Sequence, residues 1–213
     1  MNTPVLSLDM KDPLHFIDTH GSFAVVKVGH NLAVNGKGII SALADRGLKV
    51  ILDLKFVDIP STVERSIKSW DHEAIIGFTV HSASGLEAMK AARQATDKHV
   101  FAVVKLTSIP GTLEDYMDTI QKLYEIGLDF VLPGQWAIEL RDKLKDAAFL
   151  VPGIRMDIPA GDQKDVVSVE DVKCIADYLV IGREVYLSEN PRVKMQKIKD
   201  LLGVGRDGYG NCY

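Results

Sequence analysis

Short apolar runs alternate with helical segments about eight times along this chain, and that alternation restricts the fold more than any other feature. The runs are Val5–Leu8, Phe23–Val28, Val50–Leu54, Ala74–Val80, Val100–Leu106, Phe130–Leu132, Phe149–Val151 and Tyr178–Ile181. Between them the spacing predicts helices over Gly38–Arg46, Ser61–Trp70, Ser84–Ala95, Leu113–Ile126, Trp136–Leu144 and Val169–Ala176, with a last helix over Pro191–Leu202. Ser84 is the expected cap of its helix, with Glu87 in the capping-box position. Gly47 and Gly127 close the helices before them. Strands that are nearly continuous in apolar residues belong to a parallel sheet covered on both faces. Eight such units without a linker or low-complexity tract favour α/β architecture with a single-domain (β/α)8 TIM barrel over residues 1–202. An open doubly wound sheet is the structural alternative. Residues 203–213 contain four glycines and read as a frayed or weakly docked C-terminal tail.

Polar residues collect where these strands end. Side chains alternate faces along a strand, so Ser7 pairs with Asp9, Val25 with Lys27, and Asp53 with Lys55, while Leu52 and Leu54 share the opposite face. If the first set points inward, Asp9, Lys27, Asp53 and Lys55 form a ring of alternating charge at one mouth of the barrel. The C-terminal rim is where active sites of this fold are built. A second cluster holds Pro152-Gly-Ile-Arg155, Gly161-Asp-Gln163 and Ile181-Gly-Arg183 around the last two strands. Loops after those strands commonly bind phosphate, where arginine grips bidentately and glycine lets backbone N–H groups approach. Together the clusters point to a phosphorylated small molecule. Taken singly, Arg183 is equally a surface arginine and Gly161-Asp-Gln163 a turn.

Other chemistries lack support. The net charge of −4 offers no global basic field for nucleic acid or anionic membrane. The two cysteines, Cys174 and Cys212, form no CxxC, which argues against a zinc site or disulfide framework and fits a reducing compartment, the cytoplasm by default. The six histidines form no HExxH or i,i+4 pair. His81, the one histidine at the rim, reads as a packing or hydrogen-bonding residue. No GxSxG or P-loop spacing is present, no apolar stretch reaches membrane-spanning length, and the N-terminus has no signal-peptide pattern.

The stretch Asp53-Leu-Lys55-Phe-Val-Asp58-Ile-Pro-Ser-Thr62 resembles the DxKxxDIPxT signature of orotidine 5′-phosphate decarboxylases. The resemblance continues in family order through Leu8-Asp9, Lys27-Val-Gly, Leu106-Thr-Ser108, Val151-Pro-Gly-Ile-Arg155, Gly161-Asp-Gln163 and Val180-Ile-Gly-Arg183. DxKxxD alone also occurs in related sugar-phosphate enzymes; DIPxT together with PGIR, GDQ and GR selects the orotidine branch. The resemblance implies a carboxy-lyase that converts orotidine 5′-phosphate to UMP without a cofactor or metal. It gives Lys27, Asp53, Lys55 and Asp58 as the charged catalytic network, with Lys55 protonating C6. Asp9 and Lys27 match ribose contacts, Ser108 or its neighbour Thr107 the pyrimidine contact, and Arg155, Gln163, Gly182 and Arg183 the phosphate end. It further implies a homodimer with shared active sites, in which Asp58 and Thr62 reach into the partner's site. The usual PGIRP continues here as Arg155-Met-Asp-Ile-Pro159, so proline is displaced. A Mg²⁺-dependent sugar-phosphate lyase and a catalytically silent phosphate-binding barrel are the alternative readings.

Overall fold

Eight parallel strands close into a barrel with no free edge. The computed structural model describes residues 2–70, 72–156 and 167–210. The strands are β1 (Thr3–Ser7), β2 (Val25–Val28), β3 (Lys49–Phe56), β4 (Ile75–His81), β5 (His99–Val103), β6 (Asp129–Val131), β7 (Phe149–Val151), β8 (Ile154–Arg155), β9 (Val167–Ser168) and β10 (Tyr178–Ile181). β1 to β7 follow one another around the barrel, and β10 closes it between β7 and β1. β8 and β9 pair only with each other, in a small parallel ladder beside the rim.

The period-2 pattern sorts side chains into two cores. Val5, Val25, Ile51, Phe101, Leu150, Tyr178 and Val180 fill the barrel interior. Their neighbours Leu6, Val26, Leu52, Phe78, Val100, Leu179 and Ile181 face outward and meet the helices. Phe101 needs room, and Gly77 on the adjoining strand supplies it: a Cβ there would lie 2.8 Å from the Phe101 ring. The interior is therefore a packed plug rather than a channel. Polar residues one step further along the inward faces have nowhere to go but the open mouth above it.

Helices occupy the predicted intervals with shifted ends. Pro60 takes the first position of helix Pro60–Ser69, where its missing N–H costs nothing. The expected cap at Ser84 is not formed. Ser82–Ser84 is a 3₁₀ turn, Gly85 at φ +81° is the cap of helix Leu86–Gln94, and the Ser84 hydroxyl instead donates to the Phe56 carbonyl at 3.4 Å. The capping box lies at Ser168 and Asp171, whose side chains each accept the other's backbone N–H. Helix Pro191–Leu202 matches its predicted span.

Residues Gly203 to Gly210 are docked rather than frayed. Val204 and Gly210 pair, the Asn2 N–H donates to the Gly210 carbonyl, and Tyr209 packs on the inner core. Glycine is needed for that fit: a Cβ on Gly208 would lie 2.4 Å from Ala24 Cβ, and one on Gly210 2.3 Å from the Asn2 carbonyl oxygen. The tail thus walls one side of a space of about 930 Å³ at the N-terminal end of the barrel, opposite the charged rim.

Candidate active site

β3 leaves the regular ladder just where the chemistry begins. Its pairing with β4 slips between Leu52 and Phe56, and Lys55 sits in the left-handed region at φ +47°. A non-glycine residue held there marks local strain of the kind found at functional sites. Even so, the Asp53 and Lys55 side chains converge, as strand alternation predicts. Gly29, after β2, lets the chain pass close by: its Cβ position is 3.0 Å from the Asp53 carbonyl oxygen.

Asp53 is the centre of the site, with its side chain only 11% exposed. Lys27 Nζ donates to Oδ2 at 2.7 Å, and Lys55 Nζ donates to Oδ1 at 2.7 Å. Thr79 of β4 also donates to Oδ1, at 2.9 Å. Burial alone would raise the Asp53 carboxyl; the Lys27 and Lys55 ammoniums, through charge and hydrogen bonds, outweigh it and hold the group well below the usual carboxylate range. Two cations against one anion leave a local excess of one positive charge. That surplus suits an anionic ligand better than a neutral one. His81, at the end of β4, is shifted downward: burial and then the Lys55 charge lower it, and its Nδ1 accepts the Ala83 N–H at 3.1 Å.

A cavity of about 290 Å³ opens beside this set, at the C-terminal ends of the strands. Lys27, Asp53 and Lys55 line one part of it; Arg155, Gly182 and Arg183 line another. Asp9 lines the mouth as well, but it does not join the lysine ring. It is exposed, and its Oδ2 accepts the Ser7 hydroxyl at 2.6 Å. The expected alternation of four neighbours therefore reduces to a paired triad with Asp9 to one side. β1 ends at Ser7, two residues short of Asp9, so strand parity no longer governs where that carboxylate points.

Several residues fall elsewhere. Asp58 and Thr62 are not in the cavity wall: Asp58 accepts its neighbour's N–H from Ile59, and Thr62 accepts from Arg65. Both lie beyond the bulge, Asp58 on the exposed connection out of β3 and Thr62 in the first turn of the helix. Thr107 lines the cavity and Ser108 does not. Gly161 and Gln163 lie outside the described residues.

Tyr186 and Thr79 carry no site signal in the sequence, and Lys105 shows there only as one of the polar residues at a strand's C-terminal end. Lys105 lines the cavity, nearly buried, with its ammonium donating to the Ile109 carbonyl at 2.8 Å and lying over Trp136. Tyr186 follows Arg183 by three residues on the short helix Arg183–Tyr186 and faces the same space. Burial, then the nearby Asp9 charge, raises its phenol. Thr79 is visible only as a hydroxyl inside an apolar strand, on the inward face with Gly77. Among the described residues no group of three or more His, Cys, Asp or Glu side chains is placed to hold a metal ion.

Comparison with known proteins agrees with this geometry. Residues 3–198 match the model of the orotidine 5′-phosphate decarboxylase / HUMPS family. An orotidine 5′-phosphate decarboxylase of Thermotoga maritima is 67% identical over 199 residues, covering 93% of this chain and 98% of that protein. One from Staphylococcus saprophyticus is 31% identical, covering 93% of this chain and 97% of its own. The crystal structure of the Thermotoga maritima enzyme superposes with a TM-score of 0.85 over 92% of this chain and 98% of that one, at 65% identity. The orotidine 5′-monophosphate decarboxylase of Methanocaldococcus jannaschii, complexed with the inhibitor BMP, gives 0.73 at 26% identity over 95% and 99%.

Proposed function

The chain belongs to the orotidine 5′-phosphate decarboxylase / HUMPS family, and from that premise we propose how its rim cavity performs the reaction. The protein is a carboxy-lyase that removes CO₂ from orotidine 5′-phosphate to give UMP, in pyrimidine biosynthesis. The observation that carries the assignment of roles is the buried Asp53 carboxylate clamped at 2.7 Å by both Lys27 and Lys55, in one cavity with Arg155 and Arg183.

The chemical difficulty is a carbanion at C6 with no adjacent carbonyl to take the charge. Lys55 meets it in our reading: its ammonium faces the developing carbanion, then transfers a proton to C6. Asp53 lies beside the departing carboxylate. Two like charges about 4 Å apart repel by roughly 4 kcal/mol at an effective dielectric of 20. Enzymes lower barriers by about 8–23 kcal/mol, so repulsion is the smaller share. Stabilisation by ammoniums already held in place supplies the larger one, since Lys55 needs no reorganisation as charge develops. Arg183 and Arg155, with the Gly182 backbone, take the phosphate, and its binding energy acts at the distant reacting carbon. Thr107 rather than Ser108 contacts the pyrimidine, Asp9 and Lys27 the ribose, and Gln163 joins the phosphate end as the family motif implies.

The protein is further proposed to be a homodimer with Asp58 and Thr62 serving the partner's site. Val57 and Ile59, on either side of Asp58, are 58% and 63% exposed, and Val34 is exposed as well. Apolar side chains flanking a carboxylate outside its own cavity suit a covered surface. A cytoplasmic location is part of the same proposal, resting on the sparse cysteines, and fractionation checks it.

Lys55→Ala is expected to abolish turnover while leaving UMP binding measurable by calorimetry. Turnover near the wild-type rate would sink the assignment of Lys55. For the dimer, mixing inactive Lys55→Ala and Asp58→Ala chains should restore activity, because one site of the mixed dimer then carries neither substitution. A mixture that stays silent would refute shared sites.

A further inference from the structure

We infer that Thr79 is a positioning residue for the decarboxylation: its hydroxyl ties the bulged backbone of Lys55 to the carboxylate of Asp53 and so sets where the Lys55 ammonium stands. The inference rests on the functional reading above and adds a residue that neither the motif nor the charged set contains.

The argument begins with the bulge. At φ +47°, in the segment where β3 and β4 lose register, the Lys55 N–H points away from the regular ladder. It donates instead to Thr79 Oγ1 at 2.8 Å. The same oxygen lies 2.9 Å from Asp53 Oδ1. An N–H can only donate, and an ionised carboxylate can only accept. The direction of both bonds is therefore determined, and the hydroxyl proton points at Asp53. Oδ1 then receives two donors, Thr79 and Lys55 Nζ, while Oδ2 receives Lys27. One side-chain oxygen thus links the main chain of the proton donor to the anion that holds that donor's ammonium.

Thr79 is 0% exposed, so water has no access to take over either bond. Removing the hydroxyl leaves a buried N–H without a partner and a carboxylate with one donor fewer, which are among the more costly losses in a protein interior. Valine keeps the shape and the β-branched fit to the strand but has no hydroxyl. Serine keeps the hydroxyl and loses a methyl group. The two variants separate the hydrogen bonds from the packing.

The experiment compares wild type, Thr79→Val and Thr79→Ser, with kcat and KM for orotidine 5′-phosphate, UMP affinity by calorimetry, and melting temperature. For Thr79→Val the expected result is a fall in kcat of roughly ten- to a hundredfold. KM and UMP affinity should stay within about threefold of wild type, because Lys27, Arg155 and Arg183 are untouched. Thr79→Ser should recover kcat to within about fivefold. An unchanged kcat in Thr79→Val overturns the inference. So does a kcat loss that serine fails to rescue, or one matched by an equal loss of UMP binding, since either reports general damage to the fold. Should Thr79→Val not fold, Thr79→Ala against Thr79→Ser makes the same comparison. Wild-type protein that does not decarboxylate orotidine 5′-phosphate would refute the functional reading itself, a result distinct from all of these.

Discussion

Replacing Lys27 by methionine removes one of the two cations on Asp53 while keeping most of the apolar stem. The pair lies 2.7 Å apart, with the side chains 14% and 11% exposed. Unit charges at that separation attract by about 6 kcal/mol at an effective dielectric of 20. Much of that gross figure is cancelled, because the lysine no longer has to be desolvated. What remains is the carboxylate left behind: breaking a buried pair from one side costs about 3–5 kcal/mol. Asp53 still has Lys55 at 2.7 Å and Thr79 at 2.9 Å, so the lower end, about 3 kcal/mol, is expected at pH 7. The pH dependence identifies the cause. In the wild type Asp53 is held below its unfolded value, so its contribution is present above the unfolded pKa of about 4 and is lost as pH falls further. Without Lys27, burial is opposed by one ammonium fewer and the folded carboxyl rises. The penalty should therefore be full at pH 7 and shrink below about pH 4. Urea unfolding of both proteins followed by circular dichroism across pH 3–8 measures it. A loss under about 1 kcal/mol at pH 7, or one that does not change with pH, would refute the reasoning.

Four further outcomes are expected. Burial first, then the charges of Tyr209, Asp177 and Asp129, push the Tyr178 phenol up to about 12, so the folded protein keeps a proton that the unfolded chain loses near 10. Stability should fall by about 2–3 kcal/mol as pH climbs from 10 to 12, and Tyr178→Phe should flatten that part of the curve relative to wild type in alkaline urea titrations. Arg183→Ala should raise KM for orotidine 5′-phosphate by roughly tenfold or more with a smaller change in kcat; an unchanged KM counts against the phosphate role. Gly208→Val, placed at φ +85° against Ala24, should lower stability by about 2 kcal/mol or more, seen as a drop in Tm; an unaltered Tm would mean the tail is not docked in solution. Turnover should survive EDTA, whereas loss that Mg²⁺ restores would favour the sugar-phosphate lyase reading.

Much of this site is legible in the amino-acid sequence, because it is written in the period-2 code of single strands. Val25 and Ile51 enter the inner core, and Lys27 and Asp53, two residues further along the same faces, reach the mouth. That inference needs only the geometry of a strand, the near-continuous apolar character of a parallel sheet covered on both faces, and the eight repeats that favour its closure. The motif from Asp53 to Thr62 then selects the family.

What the linear pattern could not supply are relations between residues on different elements. Asp9 follows the right parity but lies past the end of β1, and the neighbouring Ser7 hydroxyl engages it instead of the lysines. Ser84 has the correct capping spacing, yet Gly85 forms the cap because a 3₁₀ turn intervenes. By composition the glycine-rich tail reads as frayed or weakly docked, but its glycines are the surface that lets it lie against Asn2 and Ala24.

The sequence by itself favoured the closed barrel over an open sheet and indicated the end that carries the site and three of the four charges expected to meet there, from local alternation and the cost of burying an unpaired charge. Only the tertiary structure decided how Asp53 and Lys55 are held. The slip between β3 and β4 and the bridging hydroxyl of Thr79, 24 residues from Lys55, arise where two strands pair, and no periodicity within either strand encodes that meeting.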